Sequence, residues 1–495
     1  MSAPMGNLAS LAAAVLQPGF VGTTPPEWVR RWLGEGLGAV VLFARNVVDP
    51  TQVAALTAAL RAERPDVIVA IDEEGGDVTR IESGPGSSRP GNLALGAVDD
   101  PYLTEEVARD LGVELAAAGV TLNYAPDADV NSNPDNPVIG VRAFGADPAL
   151  VARHTAAWVR GLQAGGVAAC AKHFPGHGDT RVDSHHDLPR ITADRARLDT
   201  GELVPFRAAI AAGVQAVMTG HLVVPALDPI LPATLSRAVL TDLLRDELGF
   251  HGVVVTDAVE MRAVADTHGL TGAAVRALTA GADAICVGGE HADEATVRRL
   301  RDAIVAAVVA GDLPEERLAE AAKRVGQLAE WTVAARADRT RYAGATGIGL
   351  TAARRALRVT TAGVEPLPTL TVPAHVVEFA PPRNIAIGAE TPWGLGAPLA
   401  DLLPGTTTVR YAEADVPADP AAGAAGRRLV LVVRDLHRHD WMRAAVARAL
   451  AGHPDAIVVE LGLPVLSAGR VHVATHGASM AGARAAAELL TGVPA

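Results

Sequence analysis

The chain has 495 residues, 49% of them hydrophobic and 20% charged, with 43 Lys plus Arg against 56 Asp plus Glu and a formal net charge of −13. That length exceeds what one hydrophobic core usually supports, so two domains are expected, and the acidic balance argues against nucleic acid or an anionic membrane as the main partner. Its two cysteines, Cys170 and Cys286, each lie in an apolar run, which predicts reduced, buried thiols and no disulfide framework.

The first expected element is a helix over Leu8 to Leu16, interrupted by Gln17-Pro18-Gly19. No Lys or Arg precedes Arg30, so the stretch lacks the basic start of a secretory signal, and no apolar run reaches about 18 residues. A cytoplasmic protein without a membrane span is the expectation. Short β-rich runs then recur at Val40–Phe43, Val67–Ile71, Val120–Tyr124, Ala168–Ala171, Ala216–Met218, Val253–Val255 and Ala284–Val287. Between and after them come amphipathic stretches such as Leu103–Ala118, Ala149–Ala164 and Glu294–Ala310.

This serial βα pattern predicts an α/β protein whose first domain, residues 1–338, is a (β/α)8 TIM-type barrel ended by a helix from Pro314 to about Ala335. A doubly wound sheet competes, but no Gly-rich phosphate turn follows the first run. Residues 339–373 read as a connecting segment and 374–495 as a smaller α/β sandwich domain, with strands at Leu429–Val433 and Ala456–Leu461 around a helix at Trp441–Leu450. That second domain carries no recognisable catalytic motif.

Polar residues stand at the ends of the barrel runs: Arg45 and Asn46, Asp72, Asp127, Lys172 with His173, His221, and Asp257. In a parallel barrel those ends share one mouth, so distant residues can converge on one small ligand. Between Lys172 and Pro189 the chain packs four histidines and three aspartates into eighteen residues. There Asp183-Ser184-His185 sets a carboxylate two residues before an imidazole, close enough to tune a proton-transfer group. His221, closing its run at the mouth, is expected to line the pocket and bind substrate. Asp257 closes an apolar run and is a candidate carboxylate nucleophile, with a helix N-cap as its alternative role.

Other polar residues read as structural. His177 and Asp179, flanked by Gly176 and Gly178, suit a tight turn with side chain to backbone bonds. Asp127 and Asp129 suit loop stabilisation, and for His221 a hydrogen-bonded core histidine is the alternative to pocket lining. A metal centre is disfavoured because His173, His177 and His185 lack helical His-x-x-x-His spacing and Pro175-Gly176 breaks any helix between the first two. Ser184 lacks the Gly-x-Ser-x-Gly elbow of a serine hydrolase.

Several ordered motifs carry a family resemblance: Leu42-Phe43-Ala44-Arg45-Asn46, Ile71-Asp72-Glu73-Glu74-Gly75-Gly76, Asn123-Tyr124-Ala125-Pro126, Ile139-Gly140-Val141-Arg142-Ala143-Phe144-Gly145, Lys172-His173-Phe174-Pro175-Gly176-His177-Gly178 and Pro232-Ala233-Thr234-Leu235-Ser236. Over roughly residues 35 to 335 the chain resembles family 3 of the glycoside hydrolases, in its β-N-acetylglucosaminidase branch. The resemblance implies a retaining mechanism with Asp257 as nucleophile, His185 as acid/base and Asp183 as its partner. It further implies that Asp72, Arg142, Lys172 and His173 hold the sugar, with no cofactor. Many relatives carry a second acidic residue directly after the nucleophile, where this chain has Ala258.

The expected reaction is hydrolysis of terminal non-reducing β-linked N-acetylglucosamine from muropeptide or chitooligosaccharide fragments. Phosphorolysis at the same site is the alternative, because an imidazole acid/base tolerates an incoming phosphate dianion that a carboxylate would repel. The partners expected are therefore a small carbohydrate, with inorganic phosphate as an alternative acceptor, and no nucleic acid, membrane or obligate protein partner. A catalytically silent sugar-binding protein is the third possibility, which the nucleophile and dyad argue against.

Overall fold

A computed structural model describes residues 5–181, 188–338, 347–363, 367–382, 384, 386–388 and 391–493. It divides into two compact units, one of Met1–Glu73, Thr104–Ile139 and Ala146–Ala345, the other of Glu74–Leu103, Gly140–Gly145 and Thr346–Ala495.

The first unit carries β1 (Leu16–Pro18), β2 (Ala39–Leu42), β3 (Ile68–Ile71), β4 (Leu122–Asn123), β5 (Ala168–Phe174), β6 (Ala216–Thr219), β7 (Val253–Thr256) and β8 (Ile285–Val287). Strands β2 to β7 pair in chain order and in parallel, and β1 pairs in parallel with β8. Parallel bridges at Gly19–Val41 and Val255–Ala284 join β1 to β2 and β7 to β8, so the neighbour relations close into a ring. Every residue of these strands is buried, which explains why they read as continuous apolar runs.

Alternate residues share one interior cluster: Ala39 and Val41, Ile68 and Ala70, Leu122 and Tyr124, Ala168 and Cys170, Ala216 and Met218, Val253 and Val255, Ala284 and Cys286. Tyr124 Oη, from the residue directly after β4, donates to Gln17 Oε1 of the non-adjacent β1 at 2.5 Å across that interior. Val325, Leu328 and Ala329 of the helix Glu315–Ala337 pack on the same cluster. Both cysteines are free and buried, as expected.

The connecting helices begin where their sequences say they should. Asp49, Asp147 and Asp293 each accept a bond from the backbone N–H three residues on, at 2.7, 2.6 and 2.9 Å, starting Pro50–Glu63, Pro148–Ala164 and Glu294–Ala310. Pro314 is the cap residue before its helix rather than a member of the first turn.

Strand β1 departs from the sequence reading, which takes Gln17-Pro18-Gly19 as a break after a helix. The helix ends at Ala14, and Leu16, Gln17 and Pro18 pair with Ile285, Cys286 and Val287. Three residues containing a proline and a glutamine show no strand period; pairing with β8 makes them a strand. Likewise Ala238–Glu247, unassigned from sequence, is a π-helix.

The second unit contains β9 (Arg358–Thr361), β10 (His375–Phe379), β11 (Thr407–Tyr411), β12 (Leu429–Val433), β13 (Ile457–Glu460) and β14 (Val471–Ala474). They lie in the order β11-β10-β12-β13-β14-β9, parallel except for β14 with β9. One face packs Val430, Val432, Val459 and Val473 against Ala486, Ala487 and Leu490, and the other packs Leu429, Leu431 and Val433 against Met442, Ala445 and Val446. Part of the stretch read as a connector, Ile348–Ala356 and β9, forms a helix and the edge strand of this sheet. Residues 74–103 and 140–145 also belong here: Ala481 N donates to Ser87 O at 3.1 Å, and Asn92 Nδ2 donates to Arg142 O at 2.7 Å.

Candidate active site

Strand geometry places the charged residues of the first unit. Alternation along β5 carries the inward register from Ala168 and Cys170 to Lys172, and continued one residue past β3 and β7 it carries it from Ile68 and Ala70 to Asp72 and from Val253 and Val255 to Asp257. Lys172 Nζ donates to Asp72 Oδ1 at 2.5 Å, and its side chain is 2% exposed against 26% for Asp72. Cys170 and Cys286 are buried thiols in the same interior cluster. Burial pushes both up, and Asp72 and Asp257 push both further in the same direction, while Lys172 opposes them at Cys170.

His173 Nδ1 lies 2.8 Å from Asp129 Oδ2, and the His173 and His177 backbone N–H groups donate to Asp129 Oδ1 at 3.3 and 2.7 Å. Burial pushes the Asp129 carboxyl up, but His173 and His177 outweigh it and hold it below its ordinary value. A carboxylate there accepts the His173 Nδ1–H and so fixes the ring's orientation. Asp127 Oδ1 accepts from Asp129 N at 3.0 Å, closing the loop on itself. Asn136 Nδ2 donates to the His177 and Gly178 carbonyls at 2.9 and 3.0 Å. A Cβ at Gly178 would come within 1.7 Å of Val130 O, so only glycine allows this approach. The turn at His177 is thus held by the side chains of Asp129 and Asn136.

Asp257 is not a helix cap. The next helix, Arg262–His268, is preceded by Met261 and has no side-chain cap, whereas Asp257 Oδ1 accepts from Ala258 N at 2.8 Å. His221 is fully buried, with Nδ1 2.8 Å from Thr234 Oγ1 and Nε2 3.0 Å from Ala258 O. A carbonyl can only accept, so Nε2 carries the proton and the ring braces the backbone next to Asp257. Arg45 and Asn46 serve the rim: Arg45 donates to Phe20 O at 3.1 Å and Gly289 O at 2.8 Å, and Asn46 to Phe20 O and Gly22 O at 3.0 and 2.8 Å.

Arg142 belongs to the second unit. Its Nε and Nη2 donate to Glu74 Oε2 and Oε1 at 3.0 and 2.7 Å, with side chains 5% and 3% exposed. Sequence reading quotes Glu74 only inside a motif, because nothing local marks a partner 68 residues away. Asp183 and His185 lie outside the described residues.

Among the described residues, Asp127, Asp129 and His173 form the set whose donor atoms approach closely enough for a metal ion, within 4.8 Å of one another. Asp129 accepts through both oxygens, from the His173 ring and the His177 backbone, and Asp127 Oδ1 accepts from Asp129 N, so hydrogen bonds within the loop already give these side chains a structural role. Incubation with EDTA is therefore expected to leave kcat unchanged; a loss restored by zinc would refute this reading of the cluster.

A family model described as "Glycosyl hydrolase family 3 N terminal domain" matches residues 17–328. The chain is 37% identical over 331 residues to Beta-hexosaminidase A of Pseudoalteromonas piscicida, covering 62% of this chain and 55% of that protein. It therefore spans little more than half the length of that relative. It is also 41% identical over 277 residues to a Beta-hexosaminidase of Stenotrophomonas maltophilia (strain R551-3), covering 54% of this chain and 82% of that one. The solved glycoside hydrolase family 3 beta-N-acetylglucosaminidase from Paenibacillus sp. str. FPU-7 matches with a TM-score of 0.85 at 34% identity, covering 99% of this chain and 97% of that chain.

Proposed function

Because the chain belongs to glycosyl hydrolase family 3, we propose that it removes terminal β-linked N-acetylglucosamine by a retaining mechanism, at the mouth of a closed (β/α)8 barrel followed by an α/β sandwich domain. The carrying observation is that Asp257 stands on the same inward register as the Lys172–Asp72 pair, above an interior of apolar side chains. The likeness of the whole chain to the Paenibacillus beta-N-acetylglucosaminidase supports the choice of sugar.

In this mechanism Asp257 attacks the anomeric carbon while the His185 imidazolium, charged beside Asp183, protonates the departing oxygen. Neutral imidazole then takes a proton from the water that releases the sugar. Asp72 accepts from sugar hydroxyls, Lys172 and Arg142 donate, and His173, fixed by Asp129, presents its other ring nitrogen. His221 sits one step behind, bracing Ala258. Short muropeptide or chitin-derived fragments in the cytoplasm are the substrates this reading assigns. Among the described residues, no helix is long and apolar enough to cross a membrane.

Parallel kinetics on the nitrophenyl N-acetyl-β-glucosaminide and β-glucoside test the specificity. A pocket that hydrogen-bonds the acetamide leaves buried polar groups unpaired when it is missing, so kcat/KM should favour the N-acetyl sugar by roughly ten-fold to a thousand-fold. Equal or better use of the glucoside defeats the specificity claim. In phosphate buffer the product should be free N-acetylglucosamine, and its 1-phosphate would instead mark phosphorolysis.

A further inference from the structure

Glu74 and Asp77 occupy one tight turn. Glu74 N donates to Val78 O at 3.1 Å, and Gly75 and Gly76 take φ values of 76° and 64°, backbone that only glycine adopts freely. A Cβ at Gly76 would lie 2.4 Å from Gly91 Cα, so the turn is pressed against the start of the helix Asn92–Val98. From that helix Asn92 Nδ2 donates to Arg142 O at 2.7 Å. Turn, helix and Arg142 therefore form one packed body, with the Glu74 carboxylate holding the Arg142 guanidinium through two bonds.

That body is fastened by residues from the far end of the chain. Arg434, directly after β12, donates through Nη2 to Asp77 Oδ2 at 2.6 Å, and Ala478 N donates to Asp77 Oδ1 at 2.7 Å. Ser87 Oγ accepts from Gly76 N at 3.1 Å, while Ser87 O accepts from Ala481 N at 3.1 Å. Asp77 is 4% exposed and the Arg434 side chain 12%, so water competes little with the pair.

We propose that Arg434, through Asp77 and the Glu74 turn, is a positioning residue for the Arg142 guanidinium, so that a side chain of the C-terminal segment sets how firmly the sugar is held. The inference rests on the reading that Arg142 binds the sugar. Only two residues, Gly75 and Gly76, separate Glu74 from Asp77 along the chain, and both are held in the turn. A shift of Asp77 therefore moves Glu74, and a guanidinium displaced by a fraction of an ångström loses its aim at the ligand.

The test measures KM and kcat separately on the full-length protein with a nitrophenyl N-acetyl-β-glucosaminide. Arg434→Ala should raise KM about tenfold with kcat changed by less than about threefold, because uniform binding is lost while the nucleophile is untouched. Arg434→Lys should recover part of the loss. Should Arg434→Ala not fold, Asp77→Asn serves instead: it keeps an acceptor for Ala478 N, removes the charge, and should also raise KM. In an Arg142→Ala background, Arg434→Ala should add nothing further to KM. An unchanged KM in Arg434→Ala or Asp77→Asn, or an additive effect on Arg142→Ala, overturns the proposal. If Arg142→Ala itself leaves KM unchanged, the failure lies in the sugar-binding reading, a result separable from the others.

Discussion

Asp257→Ala should lower kcat by about a thousand-fold or more, on the order of 4 kcal/mol of transition-state stabilisation, while the protein stays folded. The carboxylate follows β7 directly, in the register of Val253 and Val255, and caps no helix, so its removal takes away the proposed nucleophile and little packing. A fluorinated sugar that forms its glycosyl-enzyme quickly and releases it slowly should leave a covalent adduct on the peptide containing Asp257, detectable by mass spectrometry. Near-normal kcat in the purified variant, or an adduct on another carboxylate, would remove Asp257 from the nucleophile's role.

Asp283→Ala should do the reverse, destabilising the protein by about 3–5 kcal/mol while leaving kcat of the folded fraction intact. Asp283 directly precedes Ala284, at the opposite end of the strands from Asp257, and is fully buried. Its oxygens accept from Arg317 Nη2 at 2.5 Å, Arg324 Nη1 at 3.3 Å, Val254 N at 3.0 Å and the Arg245 guanidinium. Without it, three cations face one another around a hole. Burial pulls the Arg245 guanidinium down to about 10, with Asp283 opposing that fall and Arg324 and Arg317 adding to it. Urea unfolding should show the midpoint drop, with Asp283→Asn milder because the amide oxygen still accepts. A midpoint within experimental error of the parent, or a kcat loss in the folded protein, would contradict the assignment of this aspartate to stability.

These two aspartates also show how unevenly the sequence reports its own structure. Asp257 follows Val253-Val254-Val255-Thr256, an apolar run whose strand character can be read by eye. The other expected strands fall within a few residues of their observed positions for the same reason, being buried on both faces. Asp283, in Gly281-Ala282-Asp283-Ala284, has no local mark of importance: its arginine partners stand 34 to 41 residues away along the chain.

What the sequence determined by itself was therefore what short-range physics controls. Caps such as Asp147 before Pro148, the strand runs, the buried cysteines, and the charged residues at strand ends all follow from backbone bonding and side-chain period within a few residues. The family motifs added expected roles to residues already conspicuous, among them Lys172, His173 and Asp257. Tertiary structure alone decided which strand closes the ring, since Leu16–Pro18 becomes β1 only against Ile285–Val287. It also decided which charges meet: Glu74 with Arg142, and Asp77 with an arginine 357 residues later. A buried ion tolerates no missing partner, yet any segment of the chain can supply that partner. The identity of the pair is fixed by packing and is not written near either residue.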